Sequence, residues 1–226
     1  MSNFANDNKM QGKLKILTED RQSGNWGGFS LVNSTLNAMR VAFEDKSIKF
    51  DYMIDISGTT YPLVDNNAIR TELSKYPGYT YMDVHKEPSR PPSDMWLSYV
   101  ECDDKLHRIG RLSLARGINM YVSSQWFAIP WHVAHWFIYN SLPNDYSIYA
   151  KRVVVADENY FGTMFKNSPF CEELIPKNHV FVLFDKWENE KNNIKESGEI
   201  REIDKRKCLH PDPSHCGRSP TTLTME

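Results

Sequence analysis

The sequence predicts an α/β fold, on three observations. Segments of strand period and segments of helix period alternate along its length. A β-branched run, Val153-Val154-Val155, stops abruptly at Ala156, where an acidic pair, Asp157 and Glu158, leads into an aromatic helical pattern. The 226 residues are 40% hydrophobic and 12% aromatic, enough for a packed core, and show no internal repeat.

Taken in chain order, Met1 to Lys13 lacks the apolar centre of a signal peptide, and residues 1–12 read as a disordered lead. Lys13 to Glu19 alternates apolar and polar residues and reads as a strand. Trp26-Gly27-Gly28 is a turn. Ser30 to Glu44 places Leu31, Thr35, Ala38 and Ala42 on one helical face, with Phe43 nearby. Phe50 to Ile56 is a strand, with Phe50, Tyr52, Ile54 and Ile56 expected on one face. Ser57-Gly58 ends it, and Pro62 forbids simple continuation.

Asp65 is placed to cap a helix from Asn66 to Lys75. Pro77 to Arg116 reads as irregular, with Pro88, Pro91 and Pro92 at its centre. Ile118 to Ile129 reads as one or two strands and Trp131 to Asn140 as a helix. Arg152 to Ala156 reads as a strand, Glu158 to Lys166 as a helix, and Val180 to Phe184 as another strand. Lys186 to Lys207 is a charged, solvated insertion, followed by a tail rich in Pro, Ser and Thr. Residues 13–226 are expected to form a single α/β domain.

A net charge of -2 offers no basic field for nucleic acid. No stretch reaches the ~18 apolar residues of a membrane-spanning helix. Six Trp and eleven Tyr could line a sugar site, and such rings also fill cores and interfaces. Asn33-Ser34-Thr35 is a glycosylation sequon inside an expected helix.

Two readings fit the acidic pair. A carboxylate where a strand gives way to a helix sits at the mouth of an α/β sheet, where ligands bind, and an ionised, positioned carboxylate can act as a general base. Alternatively, Asp157 caps the helix and Glu158 is a first-turn acid favoured by the helix dipole. His132 and His135 stand three apart on a helix, a spacing open to metal, although their apolar neighbours favour packing roles. Cys208, His210, His215 and Cys216 form a C-x-H-x4-H-C cluster that departs from zinc-finger and ribbon spacing. A Cys208–Cys216 disulfide suits that short loop better if the compartment is oxidising. The sequence has no G-x-S-x-G elbow, no P-loop and no G-x-G-x-x-G. It has no D-x-D either, the pair with which many sugar-nucleotide enzymes hold a divalent metal. If the chain is such an enzyme, cationic side chains would face the diphosphate instead: Lys205, Arg206 and Lys207, which otherwise read as a solvated run, and Arg218 in the otherwise uncharged CGRSPTTLT.

Five segments, in this order, resemble glycosyltransferase family 14, the core-2/I-branching N-acetylglucosaminyltransferases and peptide O-xylosyltransferases. They are WGGFSLVNSTLNAM (Trp26 to Met39), FDYMIDISGTTYPL (Phe50 to Leu63), SSQWFAIPWHVAHWF (Ser123 to Phe137), ADENYFGTMFKNSPFC (Ala156 to Cys171) and CGRSP (Cys216 to Pro220). The NSPFC stretch and the Cys-Gly-x-Ser-Pro tail look nearer to the xylosyltransferase branch.

The resemblance implies a GT-A type fold, a mixed sheet flanked by helices, and inverting, metal-independent transfer of xylose or N-acetylglucosamine from a UDP-sugar to a protein or glycan hydroxyl. It implies no cofactor. The family's catalytic base falls on Glu158, with Asp157 beside it on the acceptor side. Trp26 matches a tryptophan near the sugar site; Gln125 and Trp126 match a segment that walls the acceptor side. Arg206, Lys207 and Arg218 would neutralise the leaving diphosphate. The resemblance also implies a type II membrane protein of the Golgi or endoplasmic reticulum lumen.

Two departures stand against the family pattern. Thr60 occupies the place of an Asp in ISGTTYP. The first β-α-β unit, which grips uridine, and the membrane anchor are expected to be missing from this chain, as in an N-terminally truncated one. These departures leave open a catalytically inactive relative that binds glycan or protein on the same scaffold.

Overall fold

The computed structural model describes residues 15, 17, 23–58, 60–86, 97–103, 105–113 and 115–181. The chain divides into two compact units. The first comprises Met1–Ile56 and Pro62–Asn178, and the second Ser57–Tyr61 and His179–Glu226.

The first unit is a mixed α/β structure. Its strands are β1 (Tyr52–Ile54), β2 (Thr80–Lys86), β3 (Leu97–Cys102), β4 (Lys105–Arg111), β5 (Tyr121–Pro130) and β6 (Leu174–Ile175). Its helices are α1 (Phe29–Glu44), α2 (Asn66–Leu73), α3 (Trp131–Tyr139), α4 (Ser141–Ala150) and α5 (Tyr160–Lys166), with a 3-10 turn at Ala156–Glu158. Strands β1, β5, β2 and β6 form one sheet in that order, antiparallel except where β6 runs parallel to β2. Strands β3 and β4 form a separate antiparallel ribbon.

Helix α1 buries Phe29, Val32, Leu36 and Met39, spaced three or four apart. This stripe differs from the expected one: Ala38 is exposed, and Leu31, Thr35 and Ala42 are only partly covered. The larger side chains of Val32, Leu36 and Met39 remove more apolar area from water, so the helix rolls to bury them. They meet Met82 of β2, Phe127 and Ile129 of β5, Val133 and Phe137 of α3, and Phe161, Met164 and Phe165 of α5. Asp65 accepts the N–H of Ala68 at 2.8 Å and caps α2 as the sequence predicts.

Strand β1 also turns the other way. Ile54 and Ile56 are 44% and 55% exposed, whereas Met53 packs against the core. Successive strand residues face opposite sides, so this register sends Asp55 to the side of Met53. The alternating Phe50, Tyr52, Ile54, Ile56 face is therefore not the core face.

Several other expectations are corrected. The stretch from Pro77 to Arg116 contains β2, β3 and β4. Helix α4 follows α3 directly, its first turn capped by Asn140, whose side chain accepts the N–H of Leu142 at 3.0 Å. Arg152 to Ala156 is a turn, not a strand, because Val155 adopts left-handed backbone angles (φ 54°, ψ 50°). The helix expected from Glu158 begins instead at Tyr160. Val180 and Phe181 are not in a strand. The strand expected over Lys13 to Glu19 lies mostly outside the described residues, as do Lys186 to Lys207 and the Cys208, His210, His215, Cys216 cluster.

In the second unit, Thr60 closes a small loop on Ser57. Its N–H donates to the Ser57 carbonyl at 3.1 Å, and its hydroxyl accepts the Ser57 N–H at 3.1 Å and contacts the Ser57 hydroxyl at 2.9 Å.

Candidate active site

The acidic pair stands on a turn fixed from both ends. Before it, Val155 is β-branched yet left-handed, a conformation that costs on the order of 1–3 kcal/mol and persists only where the surroundings impose it. The imposing group is the Trp26-Gly27-Gly28 loop: the Val155 N–H donates to the Gly27 carbonyl at 2.8 Å, and the Ala156 N–H approaches the same oxygen at 3.4 Å. A side chain at Gly27, itself left-handed (φ 73°), would press on the Val155 nitrogen at 3.3 Å. The Glu158 N–H then closes the 3-10 turn on the Val155 carbonyl at 3.1 Å.

After the turn, Asn159 is fully buried and fully engaged. Its side-chain oxygen accepts the Tyr146 hydroxyl at 2.6 Å, and its amide nitrogen donates to the Tyr121 carbonyl at 2.9 Å and the Thr163 hydroxyl at 3.3 Å. Gly162 then lets α5 lie directly on β5; its N–H donates to the Ser123 hydroxyl at 3.2 Å, and a Cβ there would fall 2.5 Å from that of Ser123. Neither Asn159 nor Gly162 stands out in the sequence, because their roles depend on partners far along the chain.

The two acids differ in setting. Asp157 is 8% exposed, and one of its carboxyl oxygens is buried with no hydrogen-bond partner among the described residues. Burial raises its pKa, while the backbone N–H groups of Asp157 and Glu158 act in the opposite sense. Glu158 is exposed. Loss of solvent around its carboxyl raises its pKa, and the charge of Asp157 adds to that effect.

A third carboxyl belongs to the group. Asp55 follows β1, and its N–H donates to the Phe127 carbonyl of β5 at 2.9 Å. Its burial, then the charge of Asp157, raises its pKa to about 7. Sequence reasoning misses Asp55 because it assigns β1 the opposite face; an acidic residue breaking an apolar strand is the signal that could have found it.

Strand β5 is irregular beside this group. Met82 pairs with Phe127 and Val84 with Ser123, so Ser124, Gln125 and Trp126 oppose Asp83 alone. Gln125 and Trp126 thus sit on a bulge, a device that redirects side chains at the edges of sites. Ser124 supports the bulge by accepting the Trp126 N–H at 3.1 Å and the Asn178 amide at 2.8 Å. The 3-10 turn packs on this same strand.

The structure therefore joins the loop of Trp26, a residue 59% exposed, to the Asp157–Glu158 turn through backbone bonds, and sets that turn on the strand of Gln125 and Trp126. Arg206, Lys207 and Arg218 lie outside the described residues. His132 and His135 are packing groups: His132 bonds Glu173 at 3.1 Å and meets Phe170, while His135 stacks on Trp131 and meets Tyr139 at a tilt. Among the described residues no cluster of His, Cys, Asp and Glu has the grouping of a metal site, and no helix is long and apolar enough to cross a membrane.

The family described as "Branch: Core-2/I-Branching enzyme" matches residues 8–208. Xylosyltransferase 1 of Rattus norvegicus is 25% identical over 167 residues, covering 72% of this chain and 20% of the relative. Xylosyltransferase 2 of Rattus norvegicus is 28% identical over 158 residues, 68% of this chain and 18% of the relative. Xylosyltransferase 1 of Homo sapiens is 25% identical over 167 residues, 72% of this chain and 17% of the relative. The matched region thus spans about a fifth of the length of these relatives.

Proposed function

Because the chain belongs to the core-2/I-branching enzyme family of glycosyltransferases, whose mixed α/β GT-A type arrangement it has, we propose that it transfers xylose or N-acetylglucosamine from a UDP-sugar to a protein or glycan hydroxyl, with inversion. The relatives named xylosyltransferase favour xylose. The observation that carries this reading is the setting of Glu158: an exposed carboxyl with a raised pKa, on a turn locked by Gly27 and Asn159.

Glu158 takes the proton of the acceptor hydroxyl as that oxygen attacks the anomeric carbon. The bond from that carbon to the diphosphate breaks on the opposite face, and UDP leaves with the bonding electrons. Charge develops on the sugar ring as in glycoside hydrolysis. A general base works best with a pKa near the working pH, so raising Glu158 suits the task. Asp157 supplies part of that shift. Trp26 borders the sugar, and Gln125 and Trp126 border the acceptor. Arg206, Lys207 and Arg218 neutralise the departing diphosphate; with no D-x-D in the sequence, this transfer proceeds without a metal ion. The family context supports a Golgi or endoplasmic reticulum lumen, in which a Cys208–Cys216 disulfide would persist.

Isotope-labelled UDP-xylose and UDP-N-acetylglucosamine, offered with serine peptides and with glycans in excess chelator, test this reading. Label is expected in an acceptor without added metal. Transfer that strictly requires metal contradicts the mechanism.

Thr60 supports a second reading, a non-catalytic glycan- or protein-binding relative. Its hydroxyl is engaged with Ser57 and carries no charge for a donor. Calorimetry separates the two: UDP binding excludes the second reading, and glycan binding without UDP binding favours it.

A further inference from the structure

Helix α1 lacks a cap of its own. Its N-cap position is Gly28, which has no side chain to accept the first free N–H groups, although the backbone there (φ -83°, ψ 159°) is the extended form that a capping Ser or Asp adopts. The cap comes instead from Glu101 in β3. One carboxyl oxygen of Glu101 accepts the Ser30 N–H at 3.1 Å, and the other accepts the Asn25 side-chain amide at 2.8 Å. A Cβ at Gly28 would fall 2.6 Å from that second oxygen, so the glycine is the opening through which Glu101 reaches the helix. The two bonds grip the Trp26-Gly27-Gly28 loop on both sides.

The same loop holds the acidic turn. Gly27 presents its carbonyl to Val155 and Ala156, and it is this bond that keeps Val155 left-handed. The ribbon that carries Glu101 also reaches the segment before the turn, where the Tyr99 N–H donates to the Arg152 carbonyl at 3.1 Å. Leu106 of β4 stands 3.5 Å from where a Gly27 Cβ would lie. A cap alone requires neither the Asn25 bond nor the ribbon's hold on Arg152.

We propose that Glu101 is a positioning residue for sugar transfer: by clamping Asn25 and Ser30 around Gly28, it fixes the Gly27 carbonyl that sets Val155, and through Val155 it places Asp157 and Glu158. This rests on the reading of Glu158 as the base. The clamp itself is a property of the fold and is read without activity.

The test compares three proteins with wild type: Glu101→Ala, the near-isosteric Glu101→Gln, and the double variant Gly28→Ser with Glu101→Ala. The double variant moves the cap into α1 itself and removes the clamp. Amide hydrogen exchange is followed at Ser30, Val155 and Glu158, with melting temperature, kcat and KM. Glu101→Gln keeps the shape but has one accepting oxygen in place of two, so the Asn25 amide and the Ser30 N–H can no longer each donate to an oxygen of its own. Exchange at both Ser30 and Val155 is expected to quicken in Glu101→Ala, by roughly fivefold or more, and less in Glu101→Gln. In the double variant, the melting temperature and Ser30 protection return, while Val155 stays fast and kcat stays several-fold low with KM little changed. Recovery of Val155 protection and of kcat along with the melting temperature overturns the proposal and leaves Glu101 a mere cap. Unchanged Val155 exchange in Glu101→Ala, or in Glu101→Gln if Glu101→Ala does not fold, also overturns it. If the wild-type protein transfers no sugar, the functional reading fails, while the exchange data still decide whether Glu101 sets the turn.

Discussion

The carboxyl of Asp55 is held at a pKa of about 7 by its burial after β1 and, in smaller part, by the charge of Asp157 on the turn after Val155. Its ordinary value is 3.8, so between those two values the folded chain keeps a proton that the unfolded chain releases. Stability is therefore highest on the acid side of this window and falls as the pH rises through it, until Asp55 is ionised in both states. Asp157 and Glu158, also raised, add to the same trend. Melting temperatures from about pH 5 to about pH 8 are expected to decline, and Asp55→Asn is expected to flatten the decline and to be the more stable protein at the upper end. A wild-type melting temperature that rises across this window contradicts the burial of Asp55.

With Glu158 as the proposed base, the acid limb of the kcat/KM pH profile is expected to report its ionisation in the free protein. With its pKa raised, that limb lies above the position of an ordinary glutamate. Asp157→Asn removes a negative neighbour, so the limb is expected to move to lower pH. It stops short of the ordinary value, because loss of solvent is the larger cause and remains. A limb that stays in place shows that Asp157 does not tune Glu158.

Asn159 gives a prediction for stability. Asn159→Ala removes the side-chain bonds to Tyr146, Tyr121 and Thr163, leaving the Tyr146 hydroxyl the weak Met120 sulfur at 3.4 Å and the Tyr121 carbonyl the Thr163 hydroxyl at 3.0 Å. A loss of about 1–3 kcal/mol is expected in urea unfolding, since each buried hydrogen bond contributes about 0.5–1.5 kcal/mol. A loss under about 0.5 kcal/mol, the level of an ordinary surface change, shows that the network does not hold the turn.

Gly162→Ala forces a methyl group into the space of Ser123. A cost of about 1–3 kcal/mol is expected from the overpacking. Ser123→Ala in the same protein relieves only the hydroxyl contact at 2.7 Å, because the Cβ at 2.5 Å remains; Ser123→Gly recovers more. Equal behaviour of the two pairings contradicts the close seating of α5 on β5.

Local pattern made much of this fold legible. The α1 and α3 helices announce themselves by apolar spacing, the Asp65 cap by residue type, and the acidic turn by its break from a β-branched run. Faces were less legible than elements. Ala38 and Ala42 make a neat stripe on α1, yet Val32, Leu36 and Met39 carry more area and win the core. The same misreading on β1 hid Asp55. Ribbon β3–β4 lies in a stretch marked by prolines and charge, with exposed residues along most of β4, so little periodicity reveals it. The left-handed Val155 was invisible because a valine run reads as strand; only the carbonyl of Gly27, far away in sequence, bends it. Asn159, Gly162 and Glu101 act through equally distant partners, and no local signal marks them.

The most direct measurement is sugar transfer by Glu158→Gln, with UDP affinity measured by calorimetry on the same protein. Glutamine keeps the shape of the side chain but cannot take the proton. A fall in kcat of about 10²–10⁴-fold is expected, with UDP affinity retained. Transfer at the wild-type rate by Glu158→Gln contradicts the assignment of Glu158 as the base.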